Sequence, residues 1–150
     1  YATVTTKMEF EPEVYQHSAG LTIYYDNMNN IFLRKYYSET LSGPAISIIR
    51  LENGEKTEML ETRVAVEDRP MYFRLNIEGR RTWFAWSYDG DVWTKIGPDF
   101  DTTTFSDEYC RYGEFTGTMV GIVVTDAVLH EKTADFDFFD YEADETKPVD

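Results

Sequence analysis

The chain has 150 residues, enough for one domain with a core of its own. Its 14 Lys and Arg against 28 Asp and Glu give a net charge of −14, which argues against nucleic acid and anionic membranes and suits a neutral partner such as a glycan. A single cysteine, Cys110, rules out an internal disulfide, and no run of about 18 apolar residues is present to cross a membrane as a helix.

Strand signals begin almost at once. From Ala2 to Phe10 the even positions carry Ala, Val, Thr, Met and Phe, the odd ones Thr, Thr, Lys and Glu. That period of two predicts a half-buried strand. Further strands are predicted over 19–25 and 31–38. Those over 45–52 and 56–66 are joined by Asn53-Gly54, a strong two-residue hairpin signal. After Pro70, residues 71–78 form another strand, and Gly79-Arg80 turns the chain into 81–97. There Asp89-Gly90 predicts a second tight hairpin. Residues 99–112 read as loop with a short helical turn. Residues 116–125 form an apolar strand and 134–142 a closing one, expected to pair with the first. The tail from Ala143 to Asp150 is acidic and frayed.

No window of the chain shows a period of 3.6, and roughly ten to twelve short strands suit two packed sheets better than one. The expected fold is an all-β, two-sheet antiparallel β-sandwich over residues 1–142, with 143–150 as a tail. The chain opens at Tyr1 without a methionine or a signal-peptide pattern and is read as a domain cut from a longer polypeptide. With no disulfide framework, a cytoplasmic location is expected.

Three features bear on chemistry. All three tryptophans, Trp83, Trp86 and Trp93, lie in one predicted hairpin. Trp83 and Trp86, three residues apart, face opposite sides of a strand, so one belongs to the core and one to the surface. Trp86 is thus either a core ring or a ring on which a sugar stacks. Second, Asp135, Asp137 and Asp140 follow a D-x-D-x-x-D spacing. Asp135 and Asp137 share a strand face with Cα atoms about 6.6 Å apart, while Asp140 joins them only across a bulge. They form either a solvated face, a structural calcium site with Glu9 and Glu11 nearby, or the carboxyl pair of a retaining glycosidase. Third, His17 and His130 lack partners at zinc-ligand spacing, and no G-x-S-x-G or phosphate-cradling loop occurs.

Four segments taken together carry a family resemblance. They are A-G-L-T-I-Y-Y (19–25), the hairpin 81–97 with S-x-D-G-x-x-W, F-T-G-T-M-V-G-I (115–122) and A-D-F-D-F-F-D-Y (134–141). In order and spacing the chain resembles the C-terminal β-sandwich domain of glycoside hydrolase family 43 β-xylosidases, from about Ala2 to Tyr141. The resemblance implies a concanavalin A-like sandwich without catalytic residues of its own. It implies as partner an N-terminal five-bladed propeller that supplies the Asp base, the Glu acid and a supporting Asp, and a xylo-oligosaccharide as substrate. It also implies that Phe115 is the aromatic closing the active-site pocket; read from the residues alone, Phe115 is an ordinary loop aromatic. The chain departs from the family at Thr118-Met119, where Ala-Phe is common, and at Val123-Val124-Thr125, where Cys or Gln is frequent. The alternative reading is an independent lectin-like carbohydrate-binding module for xylan or related glycans.

Overall fold

The structure is a computed structural model and describes residues 2–14, 16–26, 28–79, 81–101, 119–126 and 133–143. Ten strands follow in order: β1 (Ala2–Glu9), β2 (His17–Asp26), β3 (Asn29–Ser38), β4 (Gly43–Glu52), β5 (Glu55–Ala65), β6 (Met71–Glu78), β7 (Arg81–Ser87), β8 (Thr94–Asp101), β9 (Met119–Asp126) and β10 (Asp135–Ala143). They build two five-stranded sheets, β10-β1-β6-β7-β8 and β5-β4-β3-β2-β9. Every neighbouring pair is antiparallel. The all-β sandwich expected from the strand periodicity is the fold observed.

Alternation places the core. In β1, Val4, Thr6 and Met8 are wholly buried, and register sets them beside Leu75, Phe73 and Met71 of β6. Leu21, Ile23, Ile31, Leu33, Ile46 and Ile48 face them from the second sheet, forming one continuous apolar cluster. Such a face-to-face arrangement excludes water from both inner surfaces at once. Lys35 shares the inner face with Ile31 and Leu33. It is 1% exposed, with Nζ 3.5 Å from the Arg69 carbonyl and 3.6 Å from Asp68. Burial pushes its pKa down, and Asp68 opposes that shift.

The two predicted hairpin turns differ. Asn53 and Gly54 both have positive φ, 49° and 83°, as a two-residue turn of this kind requires. Asp89-Gly90 does not form such a turn. Strand β7 ends at Ser87 and β8 starts at Thr94, so the connection is longer than predicted. The Asp89 carboxylate accepts N–H bonds from Asp91 (2.8 Å) and Val92 (2.9 Å), while Ser87 Oγ accepts from the Gly90 N–H (2.9 Å). A side chain that caps its own loop in this way competes with the tight turn.

The first and last strands pair as expected, from Ala2↔Ala143 to Glu9↔Asp135. β10 therefore runs one residue into the stretch read as tail, and residues 144–150 lie outside those described. A bulge interrupts the pairing, because Lys7 opposes Phe138 while Met8 opposes Phe136. Asp137 is the extra residue, and alternation resumes with the opposite parity.

Candidate functional site

The tryptophan hairpin separates into two faces. Register pairs Trp86 with Phe73 and Trp83 with Asn76, so Trp86 points inward and Trp83 outward. Trp86 packs on the core and meets Tyr88 edge-on, with ring centres 5.0 Å apart. Its Nε1 is buried without a hydrogen-bond partner among the described residues. On the outer face each ring carries a guanidinium. Arg81 lies 4.2 Å from the centre of Trp83 and Arg74 3.9 Å from that of Trp93. Tyr72 meets Trp93 edge-on at 6.2 Å, and Phe138 stands 6.1 Å from Tyr72. A sugar stacking on Trp83 or Trp93 through the covered face would have to displace an arginine already held by cation–π attraction.

The bulge sets Asp140 on the same outer face as Asp135, as the spacing required of a bulge. Asp135 pairs with Glu9 and Asp140 with Thr5, both on the outer face, while Asp137 at the bulge reaches Lys7 at 3.2 Å. That contact raises the Lys7 pKa, first through its bond to Asp137. Among the described residues no group of three or more His, Cys, Asp and Glu side chains converges to hold a metal. Phe115 lies outside the described residues, as do Cys110 and His130.

One feature escaped the sequence reading. At one side of the sandwich β8 lies over β4 and β5, where Ile96 and Phe100 are 3% and 5% exposed. The opposite side ends in β9 and β10. There Ile122 and Val124 pair with the inward Leu21 and Ala19, and Phe139 and Tyr141 pair with the inward Thr6 and Val4. All four should point into a core, yet they are 41%, 43%, 42% and 54% exposed. Among the described residues nothing closes the sandwich along this edge, and its inner lining there is half-exposed. Exposed apolar side chains that continue a core mark a surface for a partner more often than isolated ones do.

Comparison with known proteins gives this geometry a context. Residues 1–142 match the family of β-xylosidase C-terminal concanavalin A-like domains. The chain is 32% identical over 139 residues to a β-xylosidase of Bacillus subtilis (strain 168), covering 91% of this chain and 26% of that protein. It is 32% identical over 141 residues to a xylan 1,3-β-xylosidase of Vibrio sp, again covering 26% of that protein. The crystal structure of a xylan β-1,4-xylosidase from Bacillus halodurans C-125 superposes with a TM-score of 0.88 at 33% identity, over 95% of this chain and 27% of that one. The chain thus spans about a quarter of the length of the relatives it matches.

Proposed function

Because this chain belongs to the family of C-terminal concanavalin A-like domains of glycoside hydrolase family 43 β-xylosidases, we propose that it is a non-catalytic accessory domain of a β-xylosidase or α-L-arabinofuranosidase. One observation carries the reading: the match fills nearly the whole chain but only about a quarter of each relative, so the remaining three quarters hold what this domain serves. The partner is an N-terminal five-bladed propeller bearing the catalytic carboxyls. The open edge of β9 and β10 is the surface that docks on it, since Ile122, Val124, Phe139 and Tyr141 continue the core into solvent. Phe115, four residues before β9 begins, closes the mouth of the sugar pocket. An aromatic ring there excludes water and positions a xylo-oligosaccharide for attack. Trp86, packed on the inner face, supports the domain and leaves the sugar contact to Phe115.

Steady-state kinetics on an aryl β-xyloside test this. The full-length protein carrying Phe115→Ala should lose about tenfold or more in kcat/KM, with its unfolding midpoint unchanged. The 150-residue chain alone should hydrolyse nothing. Hydrolysis by the isolated chain, or a Phe115→Ala enzyme with unaltered kinetics, would refute the proposal.

A further inference from the structure

A second site lies on the outer face of the second sheet. Arg34 of β3 faces outward between Gly20 of β2 and Ser47 of β4. A Cβ on Gly20 would come within 1.9 Å of the Leu33 carbonyl oxygen, so the sheet beside Arg34 must stay free of a side chain there. Arg34 is 7% exposed, and its guanidinium stacks 3.9 Å from the centre of the Tyr36 ring.

Among the described residues Arg34 lacks a close acceptor. Nε donates to Ser47 Oγ and Nη1 to Ser18 Oγ, both at 3.4 Å, and Nη2 stands 3.8 Å from Glu58. Charged N–H donors ordinarily sit about 2.8 Å from an oxygen. Glu58 is also shared with Lys56 at 3.3 Å. A buried guanidinium with such weak compensation carries a large desolvation penalty, and burial accordingly lowers its pKa. Beside it, the Tyr36 hydroxyl is buried with no hydrogen-bond partner among the described residues. A buried polar group left unpaired calls for an explanation, and an unseen ligand is one.

Arg34 and Tyr36 line a cavity of about 230 Å³ with Tyr37, Ser38, Glu58 and Arg63. That is the volume of roughly seven or eight waters, room for one ring-sized molecule. Glu39 also lines it, so two guanidiniums balance two carboxylates, but Glu58 is engaged and Glu39 is exposed. The buried cation of the lining is Arg34, and the buried Tyr36 hydroxyl can donate beside it. A planar carboxylate satisfies a guanidinium through two parallel bonds, which a neutral hydroxyl cannot do.

We propose that this cavity binds a small carboxylate of about the size of one sugar acid, held by Arg34 and the Tyr36 hydroxyl with Arg63 at the rim. Tyr36 is level with Ser18 and so with Thr125 of β9, but the site lies on the outer face of the sheet, whereas Ile122 and Val124 of the open edge pair with the inward Leu21 and Ala19.

Calorimetric titration of the full-length protein with glucuronate, and with glucose as its neutral counterpart, tests the site. Glucuronate should bind at least about tenfold more tightly than glucose. Tyr36→Phe, which removes one oxygen and little volume, should weaken glucuronate about three- to tenfold without lowering the unfolding midpoint. Arg34→Lys should weaken it about tenfold or more, because charge remains but the paired donors are lost. No glucuronate binding up to ~50 mM, equal affinity for both sugars, or binding indifferent to Tyr36→Phe would each overturn the proposal.

Discussion

The two long edges of this sandwich are built from similar strands and end differently. On the β5/β8 side the sheets meet. A Cβ on Gly97 of β8 would stand 2.5 Å from Ile48 Cδ1, and Ile96 is almost fully buried. On the β9/β10 side the inner rows run on past the point where the sheets cover each other, and rings and branched aliphatics emerge half-exposed. Composition does not separate these edges, since both carry inward apolar residues. What separates them is packing across the sheets: β8 lies against β4 and β5, whereas Ile122, Val124, Phe139 and Tyr141 stay half-exposed. Among the described residues one edge is closed and the other is lined with half-exposed apolar side chains, the surface proposed above for docking.

Truncation on the two sides should expose the difference most sharply. Phe84→Ala, at a wholly buried ring of β7, should cost about 3–5 kcal/mol. Phe139→Ala on the open edge should cost less than ~1 kcal/mol in this chain, and distinctly more in the full-length protein if the edge is covered there. Chemical denaturation of both forms measures this, and equal losses for Phe139→Ala in the two settings would remove the docking role from that edge. A pair of glycines asks the same question on a smaller scale. Gly97 has φ of 76° and no room, so Gly97→Ala should cost about 2–3 kcal/mol. Gly121 in β9 has nothing within 4 Å of a Cβ, so Gly121→Ala should stay within about 0.5 kcal/mol of the parent.

Smaller effects probe the parts between the edges. Lys35→Met should raise stability by about 1 kcal/mol, because it removes a buried ammonium while Asp68 remains solvated. The sign can be checked by pH. The Lys35 pKa is lowered on folding, so the unfolded chain binds more protons between that lowered value and the ordinary lysine value. Stability therefore rises with pH in that window, and Lys35→Met should flatten the rise. The smallest expected effect is at Asp89, whose pKa is held down chiefly by the Val92 and Asp91 N–H groups and the Ser87 hydroxyl. Its contribution is present above the ordinary aspartate pKa and lost as pH falls through the lowered one. Asp89→Asn should remove that acid-side loss in thermal melts taken between neutral pH and about pH 3.

Much of this was legible in the residues. The alternation of β1 named its buried face, Asn53-Gly54 named its turn, and the parity of Trp83 and Trp86 placed them on opposite faces. Other features depend on partners that a linear pattern does not contain. Phe136, Phe138 and Phe139 lie in the predicted closing strand, and only the bulge at Asp137 sends Phe138 outward and Phe139 inward. Asp89-Gly90 promised a tight turn, and Ser87 with the Asp89 carboxylate diverted it. Arg34 and Lys35 look like an ordinary solvated pair in a strand, yet both are buried, one on each face. The open edge escapes sequence reading altogether, because Ile122 carries the same inward parity as its buried neighbour Leu21.

The pairing of β1 with β10 has one further consequence. Ala2 stands opposite Ala143, so the path into the domain and the path out of it meet at adjacent strands. Joining these two points with a short bridge and reopening the chain at the half-exposed Asn53-Gly54 turn would give a circular permutant with the same strand neighbours. It could be hung from a host protein by a corner of the second sheet in place of the first, which would separate what the domain's packing contributes from what its point of attachment contributes.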